Sequence, residues 1–181
     1  FILLGCIPTG LIAVLFKDQL EAIFAKPIIV ALMLVVTGLI LQLPRLRRRH
    51  ANTDSALKGW HTLLIGSIQG GAIIPGISRS GLTISLSLLL GLSTQEAAQY
   101  SFLLSIPAIL GAVVLKLKDV AETEIAIAPS VIVAGVLASF IVGYIALRIL
   151  LTVLNRGNFS IFSYYCFAVG GIVLLIILML E

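Results

Sequence analysis

Residues 75–83 read Pro-Gly-Ile-Ser-Arg-Ser-Gly-Leu-Thr, which places one arginine and three hydroxyl side chains in a stretch otherwise apolar enough for a membrane interior. A charged side chain is costly there, and the few that occur usually mark functional sites. The sequence contains no carboxylate between Asp54 and Glu96 that could neutralise this arginine. Arg79 is therefore the first candidate functional residue of the chain.

Composition assigns the whole chain to the membrane. Of its 181 residues, 60% are hydrophobic and 11% are charged, and the mean hydropathy is +1.17. Soluble domains contain about 45–50% apolar and about 25% charged residues. The composition predicts a single integral membrane domain over residues 1–181 and excludes a soluble enzyme.

Five apolar runs indicate an all-α polytopic membrane protein. A helix needs about 17–25 apolar residues to cross the hydrocarbon core of a bilayer. About five transmembrane helices are predicted, at residues 1–16, 27–43, 101–115, 125–151 and 161–180. The chain begins in apolar sequence without a methionine, so we expect further residues upstream in the complete protein.

The net charge of +4 comes largely from one connecting segment, residues 44–60. Basic connecting loops of membrane proteins usually face the cytoplasm. We therefore predict a cytoplasmic basic loop and no nucleic-acid partner. The basic residues of this loop are Arg45, Arg47, Arg48, Arg49 and Lys58.

Residues 61–91 are apolar but interrupted, first by Gly70-Gly71 and then by Pro75-Gly76. The two resulting pieces each cover roughly 20 Å as helices, which is less than the hydrocarbon core of about 30 Å. The segment forms either a re-entrant pair or one broken span, and the distribution of basic residues does not choose between them. We prefer the re-entrant pair, because half-helix ends at membrane depth are a known way to build anion sites.

The break itself predicts a phosphate site. Pro75 and Gly76 end the first helix, and Ser78 is a suitable N-cap for a second helix over residues 79–90. Free amides at that helix start, the positive end of the helix dipole and the arginine would converge on an anion. Phosphate matches best, since the planar fork of arginine pairs with two phosphate oxygens. The hydroxyls that would assist are those of Ser78, Ser80 and Thr83.

A purely structural interpretation of the same residues stays open. Serine and threonine often form hydrogen bonds between membrane helices, and Gly76 and Gly81 could allow close helix packing. This interpretation is weaker for Arg79, because a structural arginine at this depth needs a carboxylate partner.

Other chemically active side chains favour structural roles. Cys6 and Cys166 fall in predicted spans and indicate packing rather than a disulfide or metal site. His50 continues the basic run, and His61 follows a tryptophan at a predicted membrane interface. Glu96 is positioned to cap the helix that begins near residue 94.

The stretch PGISRSGLT resembles the signature of the bacterial undecaprenyl-diphosphate phosphatases, also called bacitracin-resistance proteins. The resemblance extends to Gln69, six residues before Pro75, to Tyr-Ser-Phe-Leu-Leu-Ser-Ile-Pro at residues 100–107, and to Gly5-Cys6-Ile7-Pro8. It covers essentially the whole chain. Members of that family also carry a Glu-rich re-entrant segment and a Ser-Ser-Thr-Gly-His-like run nearer the N-terminus, and this sequence contains neither. The chain is similar to the C-terminal two thirds of such an enzyme, and by itself is expected to lack the family's essential carboxylate and histidine.

The resemblance implies hydrolysis of undecaprenyl diphosphate to undecaprenyl phosphate and inorganic phosphate, which recycles the lipid carrier of cell-wall synthesis and confers bacitracin resistance. It implies catalytic roles for Arg79, Ser78 and Thr83, and phosphate-binding roles for Gly76, Ser80 and Gln69. It also implies a divalent cation, Mg²⁺ or Ca²⁺, a polyprenyl diphosphate substrate and a multi-pass location in the bacterial plasma membrane.

Two further function classes are kept as alternatives. Broken helices that meet near the midplane also occur in transporters, so a carrier or flippase for lipid phosphates is the second hypothesis. A structural role is the third, and the phosphatidic-acid phosphatase superfamily fits less well because its histidine motifs do not flank the arginine. Residues 4–17 and 103–116 match at seven of fourteen positions, which is compatible with half of an inverted-repeat architecture. Separately, a homodimer is kept among the possible partners.

Overall fold

The computed structural model describes residues 1–16, 23, 26–47, 57–122 and 128–180, with the backbone alone at 46, 47, 115, 116 and 118–122. Arg48, Arg49 and His50 therefore lie outside the described residues, as do most of the predicted cytoplasmic loop. Within the described ranges the ordered elements are helices. They are α1 (Ile2–Leu15), α2 (Pro27–Arg47), α3 (Gly59–Gly71), α4 (Arg79–Leu89), α5 (Thr94–Glu122), α6 (Pro129–Asn155) and α7 (Ile161–Leu180).

Four of these helices are long and apolar enough to cross a membrane: Pro27–Arg45, Thr94–Val114, Pro129–Asn155 and Ile161–Leu180. The predicted all-α, multi-pass architecture is thereby confirmed. The fifth predicted span, residues 1–16, forms α1 with 14 residues. At 1.5 Å per residue α1 covers about 21 Å, which is short for a crossing.

Polar and apolar side chains are distributed as in a protein whose solvent is lipid. Hydroxyl and amide side chains occupy much of the interior, including Thr62, Gln69, Thr83 and Ser163, while large apolar side chains cover the outside. The side chains of residues 131–149 on α6 are all exposed. Between membrane helices, hydrogen bonds and small residues replace the apolar core of a soluble domain.

Close backbone contact joins α1 to α3. A Cβ on Gly66 would overlap the carbonyl group of Gly5, and the hydroxyl of Thr9 donates to the carbonyl of Gly66 at 2.8 Å. Small residues permit this approach, and the hydrogen bond fixes its register. The helix α1 also lies beside α5, and α2 packs along α7.

The helices α3 and α4 fold back on one another as a hairpin. Leu57, just before α3, and Leu90, just after α4, pack against the same buried clusters around Ile65 and Ile84. The outer ends of the two helices therefore lie close together, which supports the predicted pair over a single broken span.

Helix boundaries extend beyond the apolar runs that predicted them. The helix α2 continues to Arg47 in spite of Pro44, so the loop begins later than the predicted residue 44. The hydroxyl of Ser160 donates to the carbonyl of Leu41, about one turn before this proline, at 3.4 Å. The helix α5 starts at Thr94 rather than 101, because a capping pair begins it upstream of the apolar run.

Candidate functional site

The break between α3 and α4 is built from turns that Pro75 and Gly76 require. The Ala72 amide donates to the Ile68 carbonyl, and the next amides make shorter-range bonds that tighten the chain. Gly76 has φ of +92°, in the left-handed region that favours glycine. A Cβ at this position would overlap the Val30 carbonyl of α2, so the break lies directly on the α2 backbone.

Ser78 is the N-cap of α4, as the sequence predicted. Its hydroxyl accepts from the Gly81 amide at 3.1 Å, and α4 runs from Arg79 to Leu89. The amide of Ser78 donates to the hydroxyl of Thr37 at 3.1 Å. Within the described part of the chain the amides of Arg79 and Ser80 have no hydrogen-bond acceptor. Two free donors therefore lie at the positive end of α4, where anions bind.

The side chain of Arg79 is half-buried and begins α4. In the part of the chain that the structure describes, its guanidinium makes neither a hydrogen bond nor an ion pair. The Cys6 thiol of α1 is close enough to interact with it electrostatically. A partly desolvated guanidinium beside two free amides favours an anionic ligand, because the ligand would supply the missing opposite charge.

Thr83 faces the neighbouring helix. It is 0% exposed, and its hydroxyl lies 2.6 Å from the Ser101 hydroxyl of α5 while donating to the Arg79 carbonyl at 2.9 Å. This contact holds the first turn of α4 against α5. The predicted role of Thr83 in catalysis stays a prediction.

Gln69 lies one turn before the break, with 1% of its surface exposed. Its amide nitrogen donates to the Thr9 hydroxyl at 3.2 Å, and its carbonyl oxygen has no hydrogen-bond partner in the described chain. Buried polar atoms normally have partners. Gln69 thus keeps a free acceptor in the interior, and its predicted phosphate-binding role stays a prediction.

The remaining candidates have structural contacts. Glu96 accepts from the Ser93 amide at 3.0 Å, and the Ser93 hydroxyl accepts in return from the Glu96 amide. This capping box confirms the predicted helix start. His61 accepts from the Lys58 amide at 3.2 Å, and Cys6 and Cys166 are free thiols, as predicted.

An apolar groove runs from the break along α2, α6 and α7. Its volume is about 580 Å³. The turn of Gly76, Ser78 and Ser80 forms one polar wall of the groove. The other walls are mostly aliphatic and aromatic and include Leu34, Leu41, Ala146, Ile149, Phe159 and Phe162. The groove therefore suits a ligand with a polar head and an apolar chain.

The donor set at the break contains hydroxyls, amides and a guanidinium, and none of these is an anionic metal ligand. Among the residues described, no three His, Cys, Asp or Glu side chains lie together as a metal site. The residues described at the break therefore offer no carboxylate ligands for the divalent cation that the resemblance implies.

Gly76, Ser78 and Ser80 lie together on the groove wall, and Arg79 begins α4 beside them without lining the groove. Thr83 and Gln69 lie in adjoining helix contacts. Sequence reasoning missed Thr37, whose hydroxyl fastens the break to α2. In the sequence, Thr37 is recognisable only as a lone threonine in a long apolar run. The sequence does not indicate which distant segment its hydroxyl contacts.

Comparisons with known proteins identify relatives of this chain. The chain matches the family model described as Bacitracin resistance protein BacA over residues 1–172. An undecaprenyl-diphosphatase of Methanosphaera stadtmanae is 39% identical over 175 residues, which are 97% of this chain and 63% of that protein. Another, of Halothermothrix orenii, is 42% identical over 97% of this chain and 68% of that protein.

A third undecaprenyl-diphosphatase, of Methanothermobacter thermautotrophicus, is 43% identical over 177 residues. The match covers 96% of this chain and 97% of that protein. The chain therefore spans less than two thirds of the Methanosphaera relative and nearly all of the Methanothermobacter relative.

Proposed function

Because this chain belongs to the bacitracin resistance protein BacA family, we propose that it hydrolyses undecaprenyl diphosphate to undecaprenyl phosphate and inorganic phosphate. The observation that carries the proposal is Arg79, which has no partner in the described chain and lies at a helix start with two free amides. We further propose that this multi-pass protein works in the plasma membrane, recycles the lipid carrier of cell-wall synthesis and so confers resistance to bacitracin.

In the proposed reaction, water attacks the terminal phosphorus of the diphosphate. The bond from that phosphorus to the bridging oxygen breaks, which releases inorganic phosphate and leaves the lipid monophosphate. Arg79 and the amides of Arg79 and Ser80 would bind the charge on the transferring phosphoryl group. Fixed charges and dipoles of this kind supply most of the catalysis in phosphoryl transfer.

Ser78 and Ser80 would orient the diphosphate, since both line the polar wall of the groove. Thr83 would support this arrangement indirectly, because its contact with Ser101 holds the first turn of α4 in place. The free carbonyl oxygen of Gln69 would accept a hydrogen bond from the attacking water or from a protonated phosphate oxygen. The divalent cation stays a proposal from the resemblance, and none of these steps depends on it.

The groove supports a lipid as the substrate. Its apolar walls begin beside the Ser78 and Ser80 turn and extend between α2, α6 and α7. An isoprenoid chain that leaves the diphosphate there would be covered by protein over its first units. The exposed face of α6 also leaves space for a second copy of the chain, and a homodimer stays a proposal.

Filling the groove should separate chain binding from phosphate chemistry. We expect Ala146→Phe to raise KM for undecaprenyl diphosphate about tenfold, since displacing about two methylenes costs about 0.8 kcal/mol each. Hydrolysis of a short-chain prenyl diphosphate should change little. The matched control is Ala138→Phe, on the same helix and outside the groove. Equal effects of Ala146→Phe on both substrates would contradict the assignment of the groove.

Phosphate release is the test of the function itself. The protein expressed from its own gene would be purified, placed in lipid vesicles with undecaprenyl diphosphate and assayed for inorganic phosphate. We expect release that depends on the protein. Movement of the lipid between leaflets without phosphate release would instead support the carrier hypothesis and overturn the proposal.

A further inference from the structure

The break between α3 and α4 rests on one face of α2. A Cβ on Gly76 would overlap the Val30 carbonyl and would lie 2.9 Å from the Cβ of Met33. Thr37 follows Met33 by four residues, so the two side chains share that face of the helix. The break is therefore in contact with α2 at backbone level, with Thr37 at its side.

Thr37 links the two peptide groups that flank Ile77. Its hydroxyl donates to the Gly76 carbonyl at 3.0 Å and accepts from the Ser78 amide at 3.1 Å. The side chain is 2% exposed. Removing the hydroxyl would therefore leave the Gly76 carbonyl and the Ser78 amide without the partner that each has here.

These two bonds determine which backbone groups face the phosphate. The Ser78 amide is used by Thr37 and the Gly81 amide by the Ser78 hydroxyl, which leaves the amides of Arg79 and Ser80 for a ligand. The carbonyl of Gly76 points to Thr37, so its partial negative charge is already paired. A rotated turn would present this carbonyl to the anion and move the free amides.

We infer that Thr37 is a positioning residue for the phosphate-binding turn, an inference that rests on the proposed phosphatase function. Thr37 acts through Gly76 and Ser78. Its hydroxyl sets the direction of the amides that stabilise the transferring phosphoryl group. Donors that are correctly aimed only at the group in transfer raise kcat without tightening substrate binding, so the hydroxyl should affect kcat more than KM.

The test compares two substitutions at this position in the protein expressed from its own gene. Thr37→Val keeps the shape and removes the hydroxyl, and we expect it to lower kcat between about tenfold and 100-fold, the loss typical of misplaced catalytic groups. KM for the lipid diphosphate should change far less. Thr37→Ser keeps the hydroxyl and should restore most of the lost kcat.

Thr62→Val is the matched control. Thr62 is also a buried threonine, with 0% of its surface exposed, but its hydroxyl donates to Gly59 within its own helix. We expect this variant to keep kcat near the wild-type value. Equal losses in Thr62→Val and Thr37→Val would show a general packing defect and overturn the inference, as would a Thr37→Ser variant no better than Thr37→Val.

A binding measurement separates this inference from the proposed function. Orthovanadate resembles the phosphoryl group in transfer, and its binding can be followed by thermal shift without turnover. Its dissociation constant should rise in Thr37→Val by the same factor by which kcat falls, and Thr37→Ser should bind as wild type does. If the wild type releases no phosphate, the proposed function fails, while unchanged vanadate affinity in Thr37→Val overturns the role of Thr37.

Discussion

Replacing Arg79 with alanine is expected to lower phosphate release from undecaprenyl diphosphate by about 1,000-fold or more, as for other arginines that stabilise a transferring phosphoryl group. The guanidinium lies at the first position of α4 and has no ion-pair partner among the described residues. Without the guanidinium, only the amides of residues 79 and 80 would stabilise the charge on the phosphoryl group. The measurement is the initial rate of phosphate release at saturating substrate.

Two further variants make the Arg79 result specific. Arg79→Lys keeps the charge and loses the planar fork, so it should recover only part of the rate. Arg148→Ala removes an exposed arginine of α6 that is bonded to Tyr144, and should keep nearly the wild-type rate. Phosphate release from Arg79→Ala at a rate near wild type would refute the phosphate-binding role of this residue.

Replacing Gly76 with alanine is expected to have the largest effect on stability. The left-handed conformation of this residue costs a non-glycine residue about 1–2 kcal/mol. The added Cβ would also overlap the Val30 carbonyl, which belongs to a helix backbone and cannot rotate away as a side chain can. We expect the apparent Tm in detergent to fall by about 5 °C or more, together with loss of phosphate release.

Gly71→Ala is the matched control for the turn. Gly71 is the last residue of α3, and a Cβ there would meet nothing within 4 Å. Alanine is favoured over glycine in helices by about 1 kcal/mol, so this variant should be as stable as the wild type. If Gly76→Ala kept both the wild-type Tm and the wild-type rate, the left-handed turn would not be required for the site.

Local chemistry made much of the break predictable. Pro75, Gly76 and Ser78 have strong conformational preferences, and these indicated a helix end, a turn and an N-cap that the structure contains. Arg79 was conspicuous because charge is rare in apolar segments. Glu96 was likewise identified as a cap from its distance to the start of α5.

Contacts between distant segments could not be predicted in the same way. Thr37 and Ser78 are hydrogen-bonded although they lie 41 residues apart in the sequence, and Gln69 and Thr9 are hydrogen-bonded although they lie 60 residues apart. Hydropathy shows that a segment is apolar but does not show which neighbour its few hydroxyls meet. The same limit applies to the contact between Thr83 and Ser101, which lie on different helices.

The contact between Gly5 and Gly66 brings the backbones of α1 and α3 directly together. No side chain separates the two backbones there. Hydrogen bonds from Thr9 to the Gly66 carbonyl and from Gln69 to Thr9 join the same two helices. Sliding between these helices would force backbone atoms past one another. Any displacement of α3 relative to α4 would therefore carry Cys6 of α1 with it and change the separation between the Cys6 thiol and Arg79.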